Sequence, residues 1–191
     1  MNDPTRSPEL MDAATTALLV VDLQERLLAA QPDAKRLVWN AGRLLDAAAA
    51  LSVDAVLTEQ VPEKLGKTAG ELAERGLAPL AKQAFSAAAC DGLLDRWHAA
   101  GVVAVAIAGI ETHVCVAQSA LDLIAAGFQV SVVVDAVGSR FPEDHGVALR
   151  RRESAGASLA TTEAAMFEWC QTADRPEFRA ISSLAKQTPP S

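Results

Sequence analysis

Apolar positions in this chain fall into two alternating kinds of run. ALLVVDLQ (17–24), DAVLTEQ (54–60), VVAVAIAG (102–109) and QVSVVVDAV (129–137) are short and rich in β-branched residues, the pattern of strands buried on both faces. Between them KRLVWNAGRLLDAAAAL (35–51), GLLDRWHAAG (92–101), THVCVAQSALDLIAAG (112–127) and EDHGVALRRRESAG (143–156) predict helices. Gly101 and Gly127 supply C-terminal stops, and Thr112 the N-cap of the 112–127 helix. ASLATT (157–162) predicts a short strand, and TEAAMFEWC (162–170) a helix start capped by Thr161 or Thr162. Strand–helix alternation with near-continuous apolar strands predicts a parallel sheet covered by helices on both faces.

Residues 61–91 are too long for a bare connection, so the reading there is a short helix near 69–76 and an active-site loop. Residues 1–13 and 187–191 read as loose ends around a single domain, 14–186. In doubly wound sheets ligands bind at the carboxyl ends of the strands. Asp22-Leu23-Gln24, Thr58-Glu59-Gln60, the GIETHVC turn and Asp135 stand at those ends.

Composition narrows the function. Half of the 191 residues are apolar and the formal charge is −7, which suits a globular domain and offers no footprint for nucleic acid or an anionic membrane. No apolar run reaches the roughly 18 residues of a membrane-spanning helix, and the first residues, MNDPTRSPELMDAATT, lack a signal-peptide core. Three cysteines do not make a disulfide framework, and they suggest a reducing cytoplasm.

Cys115 follows the most apolar strand and falls in the first turn of a predicted helix. Unpaired N–H groups and the helix dipole would stabilise a thiolate there and hold an oxyanion; the alternative is a small buried hydrophobe. Asp22 interrupts an apolar strand near its end, either as a paired functional carboxylate or as a turn residue. Lys82, in AKQAFSAA, is either a partner for it or a solvated lysine. His98 and His145 read as surface residues. His113 could form a Cys–His pair, yet two residues apart on one helix the side chains point to different faces, so Asp22 is the better base.

ALLVVDLQ, the lysine of AKQAFSA and GIETHVCVAQSALDLIAAGFQVSVVVDAVGSR together resemble the isochorismatase-like cysteine hydrolases, over about residues 15–170. TEQVPEKLGKT and PEFRAISSL resemble the branch called isochorismatase domain-containing proteins. The fold expected is α/β: three layers, Rossmann-like, with a six-stranded, mostly parallel sheet. The resemblance implies a triad of Asp22 as base, Lys82 as electrostatic partner and Cys115 as nucleophile, forming a thioester that water then hydrolyses. It also implies a cis peptide at Ile110-Glu111 and an oxyanion hole made by the backbone N–H groups of Glu111 and Cys115. Gln24, Gln60, Phe85, Ile110 and His113 are the expected substrate-binding residues, with Gln24 and Gln60 equally open to holding neighbouring loops, and Glu111 would repel anionic substrates. Asp135, Ser139 and Arg140 are expected to brace the loop after the 129–137 strand, and Cys90 and Cys170 to be inert.

Nicotinamidases of this family carry Asp-x-His and a further His as metal ligands after the second strand. TEQVPEKLGKT has no His, so no metal and no other cofactor is expected. The expectation is a metal-independent cysteine hydrolase of a small amide or related acyl substrate, cytoplasmic and homo-oligomeric, without nucleic-acid or membrane partners. The alternatives are a non-catalytic binding or scaffold protein that keeps the fold, and a thiol redox sensor. The last would lack an adjacent resolving cysteine in sequence.

Overall fold

The computed structural model of the protein describes residues 6–190; Met1–Thr5 and Ser191 lie outside it, and with them part of the expected loose ends. In chain order the elements are β1 (Thr16–Val21), α1 (Glu25–Leu28), α2 (Ala34–Leu51), β2 (Asp54–Gln60), α3 (Pro62–Leu65), α4 (Gly70–Ala73), β3 (Leu80–Lys82), α5 (Leu93–Ala99), β4 (Ala104–Ile110), α6 (Cys115–Ala125), β5 (Gln129–Gly138), α7 (Pro142–Ser154), β6 (Ser158–Ala160), α8 (Thr162–Cys170) and α9 (Phe178–Ala185). A 3₁₀ turn, Ala87–Ala89, precedes α5.

The six strands form one sheet in the order β3-β2-β1-β4-β5-β6, and every pairing is parallel. Alternation along β1 sends Leu18 and Val20 to one face, where they join Leu37 and Leu44 of α2, Trp169 of α8 and Ile181 of α9. Leu19 and Val21 go to the other face, with Trp97 of α5 and Val116 and Leu123 of α6. Two separate cores result, one on each side of the sheet. The strand order runs outward in both directions from the β1–β4 pair, so the switch point of the sheet, where a crevice opens at the strand ends, lies between them.

Four expectations change. The expected six-stranded parallel sheet is present, but its sixth strand, β3, comes from the segment read as a short helix and an active-site loop. Three residues with a buried lysine at the end show no alternation from which to read a strand. Helix α9, on the apolar spacing of Phe178, Ile181 and Ala185, had no counterpart in the sequence reading. Residues 6–13 are held rather than loose: Met11 and Ala13 are buried, and Glu168 of α8 accepts from the Met11 N–H and, through its backbone oxygen, from Arg6. Finally, α6 starts at Cys115, with Val114 as its N-cap residue. Thr112 caps nothing: its N–H donates to the Gly138 carbonyl, and its hydroxyl meets His145.

Candidate active site

Asp22 is the first residue after β1 and adopts the left-handed region, φ 51°, where a short polar side chain is tolerated better than a branched one. Its N–H donates to the Thr58 carbonyl, and the turn closes through the Gln24 N–H on the Asp22 carbonyl. The carboxylate so placed is fully buried and paired on both oxygens. Thr58 Oγ1 donates to Oδ1 at 2.7 Å, and Lys82 Nζ donates to Oδ2 at 2.7 Å. This ion pair has 0% side-chain exposure on the Asp22 side and 2% on the Lys82 side. An ion pair withdrawn so far from water persists only with further hydrogen bonds, and Lys82 has them. It donates to Gln60 Oε1 at 2.6 Å, to the Phe85 carbonyl at 3.0 Å and to the Ala84 carbonyl at 3.3 Å.

Gly109 lets the third member approach. Its φ is +115°, and a Cβ there would fall 2.0 Å from the Val21 carbonyl oxygen, so only glycine lets β4 run this close to β1. The Ile110-Glu111 peptide bond that follows is cis, as the family resemblance implies. The chain then turns through Thr112 to Val114 and enters α6 at Cys115. Ser119 Oγ donates to the Cys115 carbonyl at 2.7 Å and accepts from the Ala87 N–H at 2.8 Å, tying the start of α6 to the 3₁₀ turn near Lys82.

Cys115 is 7% exposed and lies within the electrostatic reach of both Asp22 and Lys82. Burial, with the Asp22 carboxylate acting in the same direction, pushes its thiol up to about 12, against the pull of Lys82. This runs against the expectation of a stabilised thiolate: desolvation and Asp22 together outweigh the pull of Lys82. Cys90 shares the apolar cluster of Cys115, and burial raises its thiol too.

The remaining expected site residues divide. Both ends of the Gln24 amide are occupied by backbone, donating to the Gln60 and Gly66 carbonyls and accepting from the Gln60 N–H, so its side chain ties neighbouring loops together. Gln60 faces Lys82. Ile110 is fully buried in the apolar core on the α2 side, so its side chain is a core group and does not line a pocket. Phe85 is 51% exposed, and its carbonyl accepts from Lys82. His113 is half-buried and turned toward the β5–α7 connection, with Nδ1 3.0 Å from Ser139 Oγ and Nε2 3.7 Å from Asp144. His145, read as a surface residue, is half-buried with Nδ1 3.0 Å from Thr112 Oγ1; burial, reinforced by Arg36, lowers its pKa.

Glu111 is not a bare charge at the turn. Burial would raise its carboxyl, yet the side chain and N–H of Arg140, together with Gln31, hold it below its ordinary value. Its repulsion of anions is therefore countered by Arg140. Asp135 accepts from the N–H and hydroxyl of Thr162, bracing β5 against α8. Thr58 and Ser119 are the site residues given no role from sequence; a hydroxyl at a strand end or inside a helix carries no distinguishing signal there.

Among the described residues no group of three or more His, Cys, Asp or Glu side chains could hold a metal ion. Glu59, in the segment where nicotinamidases carry metal ligands, spends a carboxylate oxygen on the N–H and hydroxyl of Thr68. A groove of about 1100 Å³ runs between α2 and α4, but none of its lining residues belongs to the triad. The chemistry is placed by the paired, buried ionic groups, not by that volume.

Comparison with known proteins gives a consistent picture. The family model described as the isochorismatase domain matches residues 16–164. The chain is 38% identical over 177 residues to isochorismatase domain-containing protein 2A of Mus musculus, covering 92% of this chain and 85% of that one. The solved structure of MAR1 ribonuclease from Caenorhabditis elegans superposes with a TM-score of 0.88 at 35% identity, covering 95% of each chain. The YcaC gene product of Escherichia coli, described as an octameric hydrolase of unknown specificity, superposes with a TM-score of 0.83 at 28% identity, over 94% of this chain and 92% of that one.

Proposed function

We propose, for a chain that belongs to the isochorismatase domain family, that it is a metal-independent cysteine hydrolase of a small, uncharged amide or related acyl substrate. The observation that carries this reading is the meeting of Asp22, Lys82 and Cys115 at the β1–β4 switch point, with the Asp22–Lys82 ion pair out of water.

At rest the site holds a carboxylate, an ammonium and a neutral thiol, so its charge is balanced. As the Cys115 sulfur attacks the acyl carbon, its proton passes to Asp22, and the negative charge moves from that carboxylate to the acyl oxygen. The Cys115 N–H, at the first position of α6, has no acceptor within the helix. With the Glu111 N–H it stabilises the oxyanion. Collapse expels the amine, which takes the proton from Asp22 and leaves a thioester. Water, deprotonated by Asp22, attacks the thioester and releases the acid and the thiol. Lys82, hydrogen-bonded to Asp22 Oδ2, holds the carboxylate in place and opposes the build-up of negative charge beside it. A net charge introduced by the substrate would have no partner in this balanced, buried site, which is why an uncharged acyl group fits best.

The test is incubation with a panel of small amides, followed by intact-mass and peptide analysis. A transient acyl adduct on Cys115, absent from Cys115→Ser, supports the reading. Turnover that survives Cys115→Ser removes it. Ribonuclease activity is the second reading, favoured by the fold shared with the nematode protein. The net charge of −7 opposes it, since that gives no cationic surface to gather phosphates. Release of nucleotides from RNA that is lost in Cys115→Ser would favour it over the amidase. We also propose a cytoplasmic homo-oligomer, in line with the octameric bacterial relative.

A further inference from the structure

We propose that Gln60 is a positioning residue for the reaction, holding the Lys82 ammonium on Asp22 so that the carboxylate stays poised as base; this rests on the triad reading above. Gln60 ends β2 and lies directly across from Lys82 in the β2–β3 register. Each hydrogen-bonding end of its side chain has one partner with a single role. Gln60 Nε2 donates to the Gln83 carbonyl at 2.7 Å, and Oε1 accepts from Lys82 Nζ at 2.6 Å. A carbonyl only accepts and an ammonium only donates, so the amide cannot be reversed without breaking both bonds.

The backbone is fixed as tightly. Gln24 Oε1 accepts from the Gln60 N–H at 2.7 Å, and Gln24 Nε2 donates to the Gln60 carbonyl at 3.1 Å. The next residue, Val61, takes φ 38°, a left-handed conformation costly for a β-branched side chain, while its N–H donates to the Lys82 carbonyl. The end of β2 is thus held on all sides in the one arrangement that delivers Oε1 to Lys82.

The choice of a neutral amide also has a chemical reason. A lysine stem has four rotatable bonds and does not stay in one place without opposing contacts. The Gln60 oxygen is the closest of Lys82's four acceptors. It holds the ammonium without adding an anion that would compete with Asp22 for it. A carboxylate at position 60 would divide the cation between two anions.

The experiment is the rate of Cys115 alkylation by iodoacetamide, measured from pH 7 to 9 by peptide mapping, in wild type, Gln60→Met and Lys82→Met. Methionine keeps the volume and removes the acceptor. A loosened Lys82 leaves the thiol less acidic, so Gln60→Met should label roughly three- to tenfold more slowly at every pH, as a half-unit to one-unit rise in thiol pKa requires. Lys82→Met should be slower still. A purely structural brace predicts the reverse, since loosening a buried site speeds labelling. Faster or unchanged labelling in Gln60→Met beside a slowed Lys82→Met overturns the role of Gln60 and leaves the triad standing. Unchanged labelling in both overturns the triad reading itself. If Gln60→Met does not fold, Gln60→Asn makes the same test by drawing the oxygen back from Nζ, with the same slowing expected.

Discussion

At the scale of the residue, Asp22 pulls two observables in opposite directions. Asp22→Asn removes the base, so turnover should fall by roughly 10²–10⁴-fold or more. It also removes the negative charge that helps hold the Cys115 thiol high, so the resting thiol should become more acidic and alkylate faster near pH 8. Loss of turnover with slower labelling would count against the assignment. His113→Ala should cost far less, because its ring nitrogens are turned to Ser139 and Asp144. The thiol also makes stability depend on pH. Unfolded Cys115 ionises near its ordinary value, whereas in the fold burial holds the proton up to about 12. The native state therefore binds more protons above about pH 9, and stability falls as pH rises through that window, by up to about 1.4 kcal/mol per unit. Cys115→Ala should lose less than wild type between pH 8 and 10 in denaturant titrations; parallel losses would refute the linkage.

At the scale of the element, what the sequence disclosed followed periodicity. The strands β1, β2, β4 and β5 and the helices α2 and α6 carry runs long enough for the apolar pattern to speak, and their bounds move by only a few residues. β3 was illegible because it is a three-residue edge strand, and the start of α6 because Thr112 looks like a cap while its hydroxyl serves His145. The meeting of Asp22 and Lys82 beside Cys115 was legible through the order of the motifs. The roles of Gln24, Gln60 and Ile110 were not, since partners from other elements decide them. Gly109 is the element-scale feature most open to test. Gly109→Ala sets a Cβ against the Val21 backbone at an unfavourable φ, and should cost about 3 kcal/mol or more. Calorimetry would measure it, and a melting temperature within a degree or two of wild type would show that β1 and β4 do not need the close approach.

At the scale of the whole molecule, the sheet separates two apolar cores, one on each face. Asp22 and Lys82 leave β1 and β3, while Cys115 opens a helix packed on the α5–α6 side. No helix among the described residues is long and apolar enough to cross a membrane. Light scattering on the purified protein should give a mass of two or more chains; a strictly monomeric, active protein would remove the oligomer from the proposed function.

The protonated, buried Cys115 has a pharmacological corollary. Haloacetamides rely on a thiolate formed in advance, which burial and Asp22 disfavour here. On the proposed mechanism, aldehydes and nitriles let the sulfur add while its proton departs to Asp22, as an acyl substrate would. Such reversible electrophiles should therefore make the better inhibitor leads.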